Sequence, residues 1–120
     1  MKQLFRQQLK VLEQQHPGAM VVLLNLRGEY LYASPEVRSL LGYTPSEVVG
    51  RPATEFAAVE DIPHVELTLQ DALLNNESVT VNIRVRTKSG ELRPARGQAF
   101  SMADPETNEV YILGWVARIP

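Results

Sequence analysis

Few residues of this chain could take part in metal or acid–base chemistry, and they lie far apart. There are two histidines, His16 and His64, and no cysteine. Neither histidine has a further ligand at the spacing of a zinc site, so the sequence predicts no metal centre. His16 precedes Pro17 in a linker and is expected to face solvent. The lack of cysteine also removes disulfides and thiolate nucleophiles.

An acidic pair, Glu60-Asp61, is a candidate for acid–base catalysis. Adjacent side chains at the start of a helix do not face one another, and the helix dipole favours negative charge there. We therefore interpret Asp61 as a helix cap. The sequence has no glycine-rich phosphate loop and no serine in a nucleophile-elbow context. It predicts no catalytic residue and no enzymatic activity.

One predicted strand has a face almost without side-chain bulk, and this feature points to ligand binding. Ala95, Gly97 and Ala99 alternate along residues 91–102. If this face lies against the helices, the missing bulk leaves an apolar space for a flat ligand. The residues predicted to line that space are Phe56, Val65, Leu69, Leu73, Val81, Ile83, Gly97 and Ala99. Alternatively, large neighbours such as Leu40, Leu41 or Phe56 fill it, because protein cores are close-packed.

The composition is that of one ordinary globular domain. The chain has 120 residues, of which 44% are hydrophobic and 22% charged, with a formal net charge of −2. Such a balance gives no basic surface for nucleic acid or for an anionic membrane. The longest apolar run, Ala19–Leu24, is too short to cross a bilayer, and no signal-peptide pattern opens the chain. We expect a cytoplasmic protein.

The first residues predict an amphipathic helix with two apolar seams, which Pro17-Gly18 ends. Phe5, Leu9 and Leu12 form one seam, and Leu4 with Val11 forms the other. Two seams predict burial on two sides, against the chain's own domain and against a second copy. The alternative is a helix packed only on its own domain. We divide the chain into this helix, residues 1–17, which serves dimerisation or as a linker, and a domain over residues 18–120.

The rest of the chain predicts an α+β fold on a five-stranded antiparallel sheet. Two strands form a hairpin at Gly28, with Tyr30 and Tyr32 on one side of the second strand. Ser34 is predicted to cap a short helix that Gly42 ends, and Thr44 or Ser46 to cap another. A long helix then runs from the Asp61 cap to Asn75-Asn76. The remaining predicted strands are 78–87, 91–102 and 109–119.

These elements and motifs together resemble a PAS domain, the sensor module of signalling proteins, over roughly residues 19–119. The motifs that carry the resemblance are Ala33-Ser34-Pro35, Leu41-Gly42-Tyr43-Thr44-Pro45-Ser46-Glu47, Gly50-Arg51, Glu60-Asp61-Ile62-Pro63, Lys88-Ser89-Gly90 and Gly114-Trp115-Val116. The chain departs from the family pattern in two places. Ala58-Val59 stands where histidine-proline is common, and Arg118-Ile119-Pro120 stands where an Asp-Ile-Thr end links the sensor to its output helix.

The resemblance implies a PAS fold in which helices inserted between strands two and three cover one face of the sheet. It also implies haem, flavin or a small organic acid as candidate ligands. Of these outcomes we expect a domain without a cofactor rather than one that binds haem or flavin. His64 lies near the position of a haem ligand in haem-binding PAS domains; the alternative is an exposed first-turn histidine. Trp115 is a candidate anchor for the N-terminal helix on the outer sheet face, or else an ordinary core tryptophan.

For function, the resemblance implies a sensor or dimerisation module of a larger signalling protein. The effector, such as a histidine kinase or a cyclic-dinucleotide enzyme, would lie outside this sequence. We expect a homodimer, with interface candidates Leu4, Phe5, Leu9, Leu12 and Trp115. The alternative is a redox or gas sensor that binds haem or flavin.

Overall fold

Five antiparallel strands form one sheet with helices on both faces in the computed structural model, which describes residues 1–75 and 77–120. The elements are α1 (Gln3–Gln15), β1 (Met20–Leu24), β2 (Tyr30–Ala33), α2 (Val37–Leu41), α3 (Pro45–Val48), α4 (Ile62–Leu74), β3 (Val79–Arg86), β4 (Leu92–Ala103) and β5 (Val110–Arg118), with 3₁₀ turns at Ala53–Phe56 and Val59–Asp61. The predicted α+β fold, with helices inserted between the second and third strands, is confirmed. No helix of the described residues is long and apolar enough to cross a membrane.

The sheet joins a ribbon from each end of the chain. Its strand order is β2-β1-β5-β4-β3, so β1 of the first hairpin pairs with β5 of the second. That pairing runs from Met20 opposite Val116 to Leu24 opposite Ile112. Because strand side chains alternate between faces, β1 and β5 carry residues of two separate cores.

We call the two surfaces of the sheet the inner and the outer face. Met20, Val22 and Leu24 belong to the core on the inner face, under α2, α3 and α4. Val21 and Leu23 belong to the core on the outer face, under α1. Every residue of β1 is therefore buried, as its unbroken apolar run predicts.

A β-bulge in β2 overturns the predicted alternation of that strand. Leu23 is opposite Tyr32, but Leu24 is opposite Tyr30, so one step on β1 matches two on β2. The extra residue, Leu31, is 41% exposed. As a result Tyr30 packs in the inner core and Tyr32 against the outer core, not side by side.

Two side chains predicted to cap helices bind strands instead. Ser34 is fully buried, and its Oγ accepts a hydrogen bond from Val21 N at 2.8 Å. The Asp61 carboxylate accepts from Arg84 N and Arg84 Nε at 2.9 and 3.1 Å. In both cases a residue distant in sequence supplies the donor, which local spacing does not reveal.

The other predicted boundaries follow local chemistry. Gly42 ends α2 with a φ of 80°, a conformation that suits glycine. Thr44 and Glu47 form a capping box at α3, in which Thr44 N donates to Glu47 Oε1 at 2.9 Å. Asn75 follows the last residue of α4, while Asn76, also predicted to stop that helix, lies outside the described residues.

Candidate functional site

A cavity of about 80 Å³ lies between the inner face of the sheet and the helices. Six of the predicted residues line it: Phe56, Val65, Leu69, Val81, Ile83 and Ala99. The predicted residues Leu73 and Gly97 do not. Leu41 and Tyr30 close other parts of the wall, so large neighbours fill much of the space without filling all of it. Ligand binding there stays a prediction.

Gly97 allows β4 and β5 to approach each other closely and does not add space to the cavity. A Cβ at this position would lie 2.5 Å from the backbone oxygen of Trp115. A Cβ at Gly114 would likewise meet the backbone oxygen of Gln98. The bare face of β4 therefore leaves less room than the sequence predicts, because the neighbouring strand already occupies part of it.

Phe56 forms the helical end of the cavity and is held by aromatic contacts. Its ring meets those of Tyr30 and Tyr43 edge to face, with centroids 5.6 and 5.2 Å apart. The guanidinium carbon of Arg51 lies 4.8 Å from the Phe56 ring centroid. Such edge contacts and a cation over a ring each add to the burial of Phe56, which is 3% exposed. Tyr43 of the Leu41-Gly42-Tyr43 motif and Arg51 of the Gly50-Arg51 motif thus pack against Phe56 in this wall.

Ion pairs fasten the helices to β3 and its hairpin turn at the periphery. Lys88 Nζ lies 2.8 Å from Glu47 Oε2, and this hydrogen bond lowers the pKa of Glu47 to about 2. Hydrogen bonds from Arg84 lower the pKa of Asp61. These carboxylates lie outside the cavity lining, so they stabilise its frame without putting charge inside.

Only two hydroxyl groups, of Thr68 and Tyr30, belong to side chains of the described cavity lining. Thr68 Oγ1 donates to His64 O at 2.9 Å, within its own helix. The Tyr30 hydroxyl has no hydrogen-bond partner among the described side chains and backbone groups. Burial raises the pKa of Tyr30. Tyr30 as a whole residue is 5% exposed. Gln98 also belongs to the lining, and its side-chain Oε1 accepts a hydrogen bond from Trp115 Nε1 at 3.3 Å. The cavity lining is thus mainly apolar, with the Tyr30 hydroxyl free to form a bond.

His64 lies away from the cavity. It is exposed on the first turn of α4, and the cavity side of that helix is formed by Val65 and Thr68. The position does not suit an axial ligand for a group bound inside. Among residues 1–75 and 77–120, no cluster of three or more histidine and acidic side chains could hold a metal ion.

Helix α1 covers the outer face of the sheet. Phe5, Leu9 and Leu12 pack with Val21 and Leu113 in the outer core. The predicted interface residues Phe5, Leu9 and Leu12 are therefore buried within their own chain, since each is 7% exposed or less.

The second seam of α1 stays more accessible than the first. Leu4 is half-buried, while Val11 is 41% exposed. Trp115 packs against the outer core and is also partly buried.

Polar and aromatic contacts fasten α1 along its length. Lys2 Nζ lies 2.7 Å from Asp104 Oδ2, and this contact lowers the pKa of Asp104. The Tyr32 hydroxyl donates to Glu13 Oε1 at 2.7 Å. At the far end the His16 ring stacks on Trp115, with centroids 4.3 Å apart.

Sequence reasoning named Trp115 as a candidate anchor for α1 but missed the other residues of these contacts. His16 is half-buried against Trp115, so the expectation that it faces solvent is wrong. Asp104 and Lys2 are more than a hundred positions apart, and nothing in local spacing relates them. The one available signal was the position of Lys2 at the start of a helix, where a cation is disfavoured unless an acidic partner is near.

Comparison with known proteins decides the family. Residues 30–116 match the family described as "PAS fold". The chain belongs to this family. This PAS domain is 31% identical over 88 residues to basic helix-loop-helix ARNT-like protein 2 of Gallus gallus. The match covers 72% of this chain but only 14% of that relative, so the chain spans about one seventh of its length.

Solved structures share the fold of this PAS domain. The PAS domain of a protein from Colwellia psychrerythraea superposes with a TM-score of 0.80, at 20% identity, over 97% of each chain. The PAS-B domain of Drosophila melanogaster Cycle, described with bound ethylene glycol, gives 0.77 at 20% identity, over 83% of this chain and 99% of that one. The predicted PAS fold is confirmed.

Proposed function

We propose that this PAS domain is a non-enzymatic sensing and dimerisation module of a larger signalling protein, and that it relays the state of its cavity to α1. One observation carries the proposal: the cavity and the α1 docking surface share strand β1. Met20 and Val22 line the cavity, while Val21 and Leu23 hold α1. Only the thickness of one strand separates the two surfaces.

The relay needs a ligand that binds two arrangements of the sheet unequally. A ligand in the cavity presses on Val22 and its neighbours, which changes the position of β1 and β5. The outer side chains Val21 and Leu113 move with them, because successive residues of one strand point to opposite faces and share its backbone. The fit of α1 on the outer face changes as a result, and α1 carries that change to an effector on the same polypeptide.

The homodimer in this proposal uses the second seam of α1. Val11 is the exposed apolar side chain of this seam, and Leu4 lies on the same seam, half-buried. The kind of effector lies outside the proposal. The relatives are named as basic helix-loop-helix proteins, which lends no support to a histidine kinase or a cyclic-dinucleotide enzyme. A cytoplasmic location is part of the proposal, and nucleic acid and membrane are not among the proposed partners.

Two variants of α1 test the proposal. Val11→Asp charges the exposed seam, and Phe5→Asp charges the buried one. Sedimentation over a range of concentrations measures dimerisation, while fluorescence of Trp115, the one tryptophan of the sequence, reports α1 docking. We expect Val11→Asp to stay docked but monomeric, and Phe5→Asp to undock. A wild-type chain that stays monomeric at every concentration rejects the dimer, and a Val11→Asp chain that dimerises normally rejects this seam.

A haem or flavin sensor is the second candidate. The cavity of about 80 Å³ is much smaller than the roughly 300–1,000 Å³ of sites for drug-sized ligands. Either cofactor would need α4 and the Phe56 wall to move outward. The visible absorption spectrum of the freshly purified protein tests this candidate: a colourless protein that takes up neither cofactor rejects it.

A further inference from the structure

The size of the cavity limits what it can hold. At roughly 30 Å³ per water-sized group, a space of about 80 Å³ corresponds to about three such groups. A cavity of about 150 Å³ is known to hold one benzene molecule in another protein. Leu69 and Ile83 are only partly buried and can change rotamer, so the upper limit is slightly larger than the resting space. The occupant is therefore much smaller than a ring cofactor.

The side chains of the cavity wall limit the charge that a bound molecule can carry. None of the described side chains that line the cavity is acidic or basic at neutral pH. The carboxylates of Glu47 and Asp61 pair with Lys88 and Arg84 outside the lining. An ion that entered would lose its hydration without gaining a counter-charge, which is strongly unfavourable. The occupant is therefore neutral.

The Tyr30 hydroxyl gives the cavity its polar selectivity. It has no hydrogen-bond partner among the described residues, whereas Thr68 Oγ1 is bonded within α4. The β-bulge matters here, because it turns Tyr30 to the inner face and Tyr32 to the outer face. No fully buried side-chain oxygen of the described residues lacks a partner, so the Tyr30 hydroxyl borders accessible space. An occupant that covered this hydroxyl without bonding it would leave it unpaired, so an occupant that bonds it is preferred over a pure hydrocarbon.

We infer that the cavity selects neutral, mainly apolar molecules of about three to five non-hydrogen atoms that carry one hydroxyl or carbonyl group. Short-chain alcohols and ketones belong to this class; carboxylates and amines of the same length do not. This inference rests on the proposed function in one respect, since it names the ligand class for the proposed sensing cavity.

Three probes of equal chain length test the ligand class on the full chain: 1-propanol, n-propylammonium and propionate. Carbon–proton NMR spectra of methyl groups follow their titration. We expect 1-propanol to shift the methyls of Val22, Leu69 and Ile83 and to leave those of Val21 and Leu23 on the outer face unchanged. The two ions should shift neither set. Equal shifts with either ion, or no inner-face shift with 1-propanol, overturn the inference.

A pair of tyrosine variants tests the role of the hydroxyl. Tyr30→Phe removes the free hydroxyl and keeps the ring, so we expect about five- to tenfold weaker binding of 1-propanol. Tyr32→Phe, two residues away on the opposite face, is the matched control and should bind as the wild type does. If the two variants bind alike, the hydroxyl has no role in selectivity. Ala99→Val tests the location of binding independently of the hydroxyl, because it fills the cavity and should abolish binding; unchanged binding in this variant would overturn the inference.

The outcomes separate this inference from the proposed relay. Binding of 1-propanol without any change in Trp115 fluorescence or in sedimentation would reject the relay and keep the ligand class. Charged probes that bind inside and alter α1 docking would reject the ligand class and keep the relay.

Discussion

The two faces of the sheet are covered in different ways. On the inner face, α2, α3 and α4 lie in the chain between β2 and β3, so they cannot leave without separating strands that the sheet needs. On the outer face, α1 precedes β1 in the chain and packs on the sheet through its buried side chains. We therefore expect the inner cover to unfold with the sheet and α1 to detach while the sheet stays intact.

The inner and outer cores also differ in packing. The inner core contains a cavity of about 80 Å³ and is framed by ion pairs at its edge. The outer core is held by a ladder of specific contacts along α1, from Lys2 on Asp104 to His16 on Trp115. The comparison shows that the cavity lies under the helices inserted between strands, whereas α1 is held on the opposite face by side-chain contacts.

The largest expected effect is that of Phe56→Ala on the inner face. Removal of this ring leaves Tyr30, Tyr43 and Arg51 without their common contact. We expect the free energy of unfolding to fall by about 3–5 kcal/mol, in one cooperative transition of circular dichroism with urea. Val49→Ala, at a site 46% exposed, is the control and should change it little. A loss of unfolding free energy as small as that of the control would show that the helices on the inner face are not an integral part of the fold.

Phe5→Ala on the outer face should have a smaller effect on the whole fold. Phe5 is 4% exposed and meets Tyr111 edge to face at 4.9 Å. We expect a loss of roughly 2 kcal/mol, because undocking of α1 offers a less costly alternative to global unfolding. Trp115 fluorescence should change at lower urea than circular dichroism does. Coincident transitions would contradict the view that α1 detaches separately.

Acid should weaken α1 docking through Asp104. Its pKa is lowered in the folded chain, chiefly by Lys2, relative to about 3.9 in an unfolded chain. The contribution of Asp104 to the stability of α1 docking is therefore complete above about pH 4 and is lost as the pH falls through the lowered pKa. A pH titration of Trp115 fluorescence should show undocking below about pH 4.

Asp104→Asn provides the comparison for the acid titration. This variant should dock α1 more weakly at neutral pH and lose the part of the acid response that Asp104 causes. Glu47 and Asp61, whose pKa values are also lowered, should still destabilise the inner cover in acid. An unchanged fluorescence titration in the variant would assign the acid response to other groups.

The smallest expected effect is that of His16→Ala at the end of α1. The variant loses the ring stacked on Trp115, which is worth about 0.5–1 kcal/mol. The urea midpoint of the Trp115 fluorescence change should fall slightly, with no change in the circular dichroism midpoint. Gln14→Ala, at an exposed neighbour, is the control. A shift of both midpoints in His16→Ala would mean that the stack supports the whole fold.

The sequence predicted those parts of the fold that depend on local chemistry. Gly42 and Thr44 end and begin helices where their spacing indicates, and the alternation of β3 identifies its inner side chains. The predictions for Ser34 and Asp61 were wrong because Val21 and Arg84, distant in sequence, compete for the same oxygens. Local propensity cannot rank such a competitor.

The candidate site was predictable in outline but not in size. All of the six predicted lining residues except Phe56 follow from the period-two and helical spacings. The space that remains depends on how closely β4 and β5 approach at Gly97, and on a bulge that turns Tyr30 inward. Both depend on strand register, which a one-residue shift alters and which the apolar pattern of so short a strand does not specify.

The bulge at Leu31 has a consequence for how the molecule behaves when crowded. β2 is an edge strand, and an open edge can recruit strands from other molecules into aggregates. Here the edge groups of Tyr30 are already bonded, since Tyr30 N donates to Arg51 O and Gly50 N donates to Tyr30 O. The irregular step beyond them breaks the flat repeat that an added strand would need. The protein thus protects this margin from edge-to-edge aggregation by its backbone geometry rather than by charge.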